Sequence, residues 1–374
     1  MMAPVELGVP ASGVDSGVAW HYGDPLREQR QAVSAAAIVD RSNRGVLTVS
    51  GEDRLSWLDA ICSQRLVGLG DGESAQALVL SPHGHVEQHW QVTELGGQVW
   101  LDVEPGRVAE VFGYLERMRF LKRVEPVDGS DRWAVLSLLG PRAGQVLRAA
   151  GLPAPEADAA EPIPAERAWI PADDTAAWIH ADVPGGIVGT VPGAARGAAR
   201  AARLAPGSGA GFVRAMPFGG MDLVVPRLRR AAVFAALRSA GAAAAGMWAF
   251  EALRAAARRP RLGLETDHRT IPHEVGWIGT AVHLRKGCYP GQEAVARVQN
   301  LGQPPRRLVL LNLSGRLDEL PAPGAPVLLD GRAVGFVGTA AQHHELGPIA
   351  LAVIGRTIAD GATVTVAGDP AIVT

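Results

Sequence analysis

The chain has 374 residues, of which 47% are hydrophobic and 20% charged, and its formal net charge is −2. That length exceeds one ordinary core and implies two or three globular domains. The near-neutral balance excludes the broad basic field that draws in nucleic acid. The cysteines, Cys62 and Cys288, stand far apart with no C-x-x-C spacing, which excludes a zinc knuckle or a four-cysteine cluster built from this chain alone.

No apolar run approaches the roughly 20 residues that span a bilayer, so no membrane partner is expected. Residues 1–22 lack a basic stretch followed by an apolar core, so they do not read as a secretory signal. Reduced thiols and a cytoplasmic location are the expectation. The abundance of alanine, glycine and arginine fits a GC-rich bacterial source.

Residues 1–24, with scattered glycine and proline, read as a loose segment. Residues 45–50 read as a strand, and Ser50-Gly51-Glu52-Asp53 then supplies a helix start. Leu55, Leu58 and Cys62 fall at helical spacing, which turns Cys62 toward a core. Residues 77–81, 86–95 and 99–103 read as a meander, turned by Pro82-His83-Gly84-His85 and by Gly96-Gly97. An amphipathic helix over 106–118, a strand over 133–138 and a helix over 141–150 follow, the last with Pro141 at its first position. Strands interleaved with helices make this an α+β region.

Residues 151–174 read as a loop or linker, and 192–211 as low-complexity Gly/Ala/Arg. Helices are expected over 228–240 and 247–258. Beyond Pro304-Pro305, short apolar runs split by glycine and proline predict a small closed or sandwiched β domain, with Asp330-Gly331 as a hairpin turn.

Two stretches carry candidate chemistry. The first is Lys286-Gly287-Cys288-Tyr289-Pro290-Gly291-Gln292-Glu293. Here two glycines permit positive φ or close approach, and Lys286 sets a cation near the thiol, favouring the thiolate that attacks electrophiles. A helix opening at Gln292 would add its positive end. A Gly/Pro turn around a buried, inert cysteine explains the same residues. The second is Ser81 to His89. On a strand, His85, Glu87 and His89 share a face, but a turn leading into an exposed strand accounts for these histidines, and no metal site is expected. The clusters Arg227, Arg229, Arg230 and Arg254, Arg258, Arg259, Arg261 read as solvated helix faces or as a docking surface for an anion.

KGCYPGQE, followed by AVARVQNLGQPPRRLV, resembles the signature of the YgfZ family. These are folate-binding relatives of the T-protein of the glycine cleavage system that act in iron–sulfur protein assembly or repair. Family members read K-G-C-Y-x-G-Q-E, and all seven fixed positions are present. The resemblance continues from Arg254 to Glu274 and, more weakly, over nearly the whole chain.

The resemblance implies an α+β, multi-domain GcvT-like fold. Ferredoxin-like α+β domains would surround a central cavity within 25–303, with a C-terminal β-barrel at 304–374. It implies tetrahydrofolate as ligand, iron–sulfur client or assembly proteins as partners, and Cys288 as the functional thiol of a monomeric protein. Lys286, Gly287, Tyr289, Gly291, Gln292 and Glu293 would shape its turn. Trp248, Phe250, Arg254, Glu274 and His89 become candidate folate contacts, and the arginine clusters a dock for a polyglutamylated tail. The chain also departs from the pattern. Ala256 stands where relatives carry a glutamate that holds the pterin, and His89 stands where the T-protein carries the aspartate serving aminomethyl transfer. A folate-dependent aminomethyl transferase and a non-catalytic folate scaffold are the alternatives.

Overall fold

A computed structural model describes residues 8–154, 202–203, 211–216, 219–314 and 320–374. Most of the expected linker and of the Gly/Ala/Arg stretch lies outside the described residues.

The N-terminal stretch is pinned rather than loose over residues 8–24. Strands β1 (Val9–Pro10) and β2 (Ala19–His21) pair antiparallel across a 3-10 turn at Gly13–Asp15. The carboxylate of Asp15 is buried and bound by Arg261, a partner no local pattern reveals. Helix α1 (Pro25–Ser34) opens on Asp24, whose side chain accepts the Arg27 N–H at 2.9 Å, with proline at the first position. Strand β3 (Ala37–Asp40) follows.

The first large sheet is antiparallel throughout. Its strands are β4 (Gly45–Ser50), β5 (Ser74–Leu80), β6 (Val86–Leu95), β7 (Gln98–Val103) and β8 (Glu125–Asp128), in the order β5-β6-β7-β4-β8. Helices α2 (Arg54–Ile61) and α3 (Val108–Met118) cover one face, where Trp57, Leu58, Val111 and Leu115 pack on Leu47, Trp90 and Leu101. Each such fully buried side chain contributes about 1.5–3 kcal/mol. Cys62, just past α2, joins this core.

The second sheet runs β10-β11-β12-β9-β3-β13. Its new strands are β9 (Trp133–Leu139), β10 (Ala202–Arg203), β11 (Phe212–Ala215), β12 (Met221–Pro226) and β13 (Ala243–Ala245), the last parallel to β3. Helix α4 (Ala143–Ala149) starts two residues beyond Pro141, so the proline lies in the preceding turn rather than at the first helical position. Helix α5 (Arg230–Ser239) is preceded by a 3-10 turn at Arg227–Arg229, and α6 (Met247–Ala256) is almost wholly buried.

After helix α7 (Gln292–Leu301), strands β14 (Arg306–Leu313), β15 (Pro326–Leu329), β16 (Arg332–His343), β17 (Gly347–Gly355), β18 (Thr363–Val366) and β19 (Asp369–Val373) form a closed barrel. Asp330 and Gly331 both take positive φ, at 49° and 76°, as a two-residue hairpin turn matched to strand twist demands. The barrel is tied to the body through Gln29, whose amide donates to the Gln342 carbonyl at 2.9 Å, and through Arg254, which donates to Thr339.

Candidate functional site

The KGCYPGQE stretch forms a loop of alternating burial. Lys286, Tyr289 and Gly291 are buried, while Gly287 and Cys288 are exposed. Tyr289 anchors the loop in a cluster with Leu78, Leu80, Val86 and Trp277, and burial pushes its hydroxyl up to about 12. The Gln292 amide donates to the Lys286 carbonyl at 3.1 Å and closes the loop over the start of α7. Gly291 takes φ 81°, and a Cβ there would stand 2.5 Å from the Ser81 carbonyl oxygen, so only glycine fits. Gly287 differs from expectation: its φ is not positive, and a Cβ would meet nothing within 4 Å. Glu293 opens α7 on the exposed side.

Lys286 does not serve the thiol. Its ammonium turns inward, donates to the carbonyls of Asp59, Cys62 and Gln64, and pairs with the Asp59 carboxylate at 3.3 Å. The C-terminal end of α2 attracts the cation because its last carbonyls lack helical partners. The ammonium also lies 5.3 Å from the Tyr289 ring centre.

The two stretches singled out in the sequence meet here. Ser81 to Gly84, the turn between β5 and β6, packs on Gly291 and on Ala294 of α7, where a Cβ on Gly84 would sit 2.8 Å from the Ala294 Cβ. Four residues into β6, His89 shares a hydrogen bond of 3.0 Å between its Nε2 and the Gln76 Oε1, and its ring lies 4.8 Å from that of Trp277. Burial drops its imidazole to about 4, so it is neutral near pH 7. Among the described residues, no group of three or more His, Cys, Asp or Glu side chains is placed to hold a metal ion.

The other expected folate contacts pack or pair within the protein. Phe250 is core, with the Arg41 guanidinium 4.1 Å from its ring centre. Trp248 is half-buried, 5.7 Å from Trp20, with its indole N–H buried and without a hydrogen-bond partner among the described residues. Arg254 is 3% exposed and binds Glu251, Glu265 and Thr339, so it is no part of a solvated face. Glu274 is equally buried. It accepts the Ile271 N–H and pairs with Arg306 at 2.8 Å, so it is neither a surface ion pair nor an open ligand contact.

What the sequence did not reveal is a chain of buried ion pairs at the junction of the two sheets, α6 and the N-terminal segment. Arg44 binds Asp102 at 3.2 Å and Glu104 at 2.7 Å. Arg214 bridges Asp102 and Asp222 at 2.8 and 3.2 Å. Arg261 joins Glu104, Asp15 and Glu251 at 2.6, 2.8 and 3.3 Å, so this arginine too is internal. Burial alone would raise Glu104, but Arg261 and Arg44 override it and hold the carboxyl well below its usual value. Arg41 is the exception: among the described residues it has one carboxylate partner, Asp222, at 3.5 Å, and burial lowers it to about 10. The signal was present in the strands: Asp102, Arg214 and Asp222 each interrupt an apolar run, and a charge inside a buried strand requires a partner.

With this geometry described, the comparisons with known proteins place the architecture. Two sheets with crossover connections, a charged junction and a closed six-stranded barrel define a T-protein-like molecule. Residues 18–159 match the GCVT N-terminal domain, and residues 306–369 match the glycine cleavage T-protein C-terminal barrel domain. The chain therefore carries GcvT-family, aminomethyltransferase-like domains and fold. An aminomethyltransferase of Moorella thermoacetica is 27% identical over 360 residues, covering 92% of this chain and 86% of that one. One from Streptomyces avermitilis is 26% identical over 343 residues, covering 89% and 82%. The crystal structure of glycine cleavage system aminomethyltransferase T from Bartonella henselae superposes with a TM-score of 0.75 at 18% identity, over 97% of this chain and 92% of that one.

Proposed function

We propose that the protein is a tetrahydrofolate-binding accessory factor for iron–sulfur cluster assembly or repair, with Cys288 as its functional thiol. One observation carries this reading. Cys288 is exposed on a loop whose neighbours Lys286, Tyr289 and Gly291 are anchored, so the thiol is presented at a fixed place rather than on a floppy strand. The open space beside Gly287 leaves room for a partner surface next to it. One thiol cannot hold a four-iron cluster, so any cluster contact uses ligands from the partner or from small thiols.

Aminomethyl transfer, the activity in the names of the relatives, is the second reading, and the fold favours it. Against it stands His89, which the resemblance puts at the place of the T-protein aspartate. A neutral imidazole stabilises a developing cation poorly compared with a carboxylate.

The test is complementation of a host lacking its own copy, with cluster-dependent enzyme activity as readout. Wild type restores that activity and Cys288→Ser does not; full restoration by Cys288→Ser removes the thiol's role. Incubation with lipoylated carrier protein and tetrahydrofolate separates the second reading. Release of ammonia and methylene-folate at ordinary enzyme rates would establish it.

A further inference from the structure

Helix α3 ends in an apolar tip that no described residue covers. Met118 packs on the first core and Val124 re-enters it. Between them Phe120 and Leu121 form a turn and stand 81% and 100% exposed. Phe120 also takes φ 45°, one residue past the helix cap at Arg119. Glycine ends helices in this conformation without strain, and a bulky side chain there is an outlier. Burial does not offset the strained backbone, because the ring is in water. The turn is nonetheless held at its base. The Trp57 indole donates to the Met118 carbonyl at 2.7 Å, and the Arg123 N–H donates to the Asp53 carboxylate at 2.9 Å. A Cβ on Gly51 would stand 2.1 Å from the Arg123 carbonyl oxygen, so the two segments touch through glycine. A strained, exposed ring on a fixed base fits a contact made outside the chain.

Cations surround the tip. Arg117 and Arg119 precede it, Lys122 and Arg123 follow it, and all four are exposed. Arg123 is answered by Glu52 at 2.6 Å and Arg119 by Glu116 only at 4.0 Å. Arg117 and Lys122 form no ion pair among the described residues. Two uncancelled positive charges thus flank two apolar side chains, which is the complement of anionic headgroups over hydrocarbon. Long basic side chains keep their heads at the headgroup level while the ring and the leucine go deeper. Shape separates a bilayer from a protein partner. A side chain exposed as fully as Leu121 projects from the body, so a second protein would need a pocket to receive it and about 800 Å² of matching surface around it. A bilayer needs neither. Among the described residues no helix is long and apolar enough to cross a bilayer, but lying on one takes no such helix.

We infer that the Phe120-Leu121 turn is a docking tip for an anionic lipid surface. The two side chains enter the boundary between headgroups and acyl chains, and Arg117 and Lys122 hold lipid phosphates. Each cation strengthens partitioning by about fivefold and each apolar side chain by about tenfold, so the contact is reversible and sensitive to salt. It requires neither folate nor Cys288.

The experiment sediments the full chain with vesicles of phosphatidylcholine, and with vesicles of phosphatidylcholine and phosphatidylglycerol in equal parts, at low and high salt. Phe120→Gly, Leu121→Ser and the double variant Arg117→Gln/Lys122→Gln are run beside wild type. Wild type is expected to bind the anionic vesicles at least about tenfold more tightly than the neutral ones, a preference lost at high salt. Phe120→Gly and Leu121→Ser each lower that affinity about tenfold, and the double variant loses the preference for anionic lipid. Phe120→Gly relieves the backbone at the helix end, so it melts close to wild type or above it, and its weaker binding is no loss of fold. Absence of wild-type binding to the anionic vesicles at low salt overturns the proposal, as does binding undiminished in both Phe120→Gly and Leu121→Ser. A wild type that ignores both vesicles and forms a dimer split by Phe120→Gly assigns the tip to a protein contact and equally overturns the lipid assignment.

Discussion

The Lys286 ammonium lies 2.8 Å from the carbonyl oxygen of Cys62, the buried cysteine, whereas Cys288, two residues along its own chain, is exposed. The lysine of the motif is thus a strut between the loop and the end of α2. Lys286→Met would remove the ammonium donor from the carbonyls of Asp59, Cys62 and Gln64 and the cation from the Asp59 carboxylate. A loss of about 2–4 kcal/mol is expected in urea unfolding, since deleting one partner exposes the cost of the others' burial. Reactivity of Cys288 toward small alkylating agents should change little in the folded variant.

The two thiols should separate cleanly by reactivity. Cys62 is buried, and burial pushes its thiol up to about 11, whereas Cys288 is exposed. Mass spectrometry after brief treatment with iodoacetamide at pH 8 should show one adduct, at Cys288, and a second only in denaturant. Modification of Cys62 at a comparable rate in the native protein would contradict the packing described.

The two motif glycines should respond oppositely to alanine. At Gly291 the positive φ and the contact with Ser81 predict a loss of about 1–3 kcal/mol or more, while Gly287→Ala should fall within about 0.5 kcal/mol of wild type. If complementation fails in Gly287→Ala despite unchanged stability, the open face beside the thiol is a contact surface.

Acid should weaken the fold through histidines. His89 and His273 both drop to about 4 through burial, from 6.5. Above pH 6.5 each is neutral folded or unfolded, so stability is fully present. Between 6.5 and 4 only the unfolded chain takes up the proton, and stability falls by up to about 1.4 kcal/mol per pH unit for each buried imidazole. Urea midpoints at pH 7 and pH 5 should diverge for wild type and diverge less for His89→Gln.

The charged junction should be costly to break at one end. Arg261→Ala leaves buried Asp15 without its arginine and takes from Glu104 and Glu251 one of the two arginines each pairs with, and about 3–5 kcal/mol of destabilisation is expected. Arg123, paired with Glu52 at the surface, is the control, and its alanine variant should cost less than about 1 kcal/mol. Equal effects for the two arginines would show that the junction is wet.

The sequence alone determined the local elements. Period-two and helical patterns placed most strands and helices, Asp330-Gly331 marked a barrel hairpin, and the spacing of Leu55, Leu58 and Cys62 turned that cysteine into the core. These succeed because a side chain's face within one element follows from backbone periodicity. Only the tertiary structure decided the partners of charged groups. Arg261 finds Asp15 across 246 residues and Lys286 finds the Cys62 carbonyl across 224, so no window of sequence contains both members. Arg254 and Glu274, read as ligand contacts, are likewise tied to distant partners, Arg254 to Thr339 across 85 residues and Glu274 to Arg306 across 32. A buried charge needs a counter-charge, but which one it meets depends on how the sheets, α6 and the barrel are brought together, and that is settled by packing between elements rather than within them.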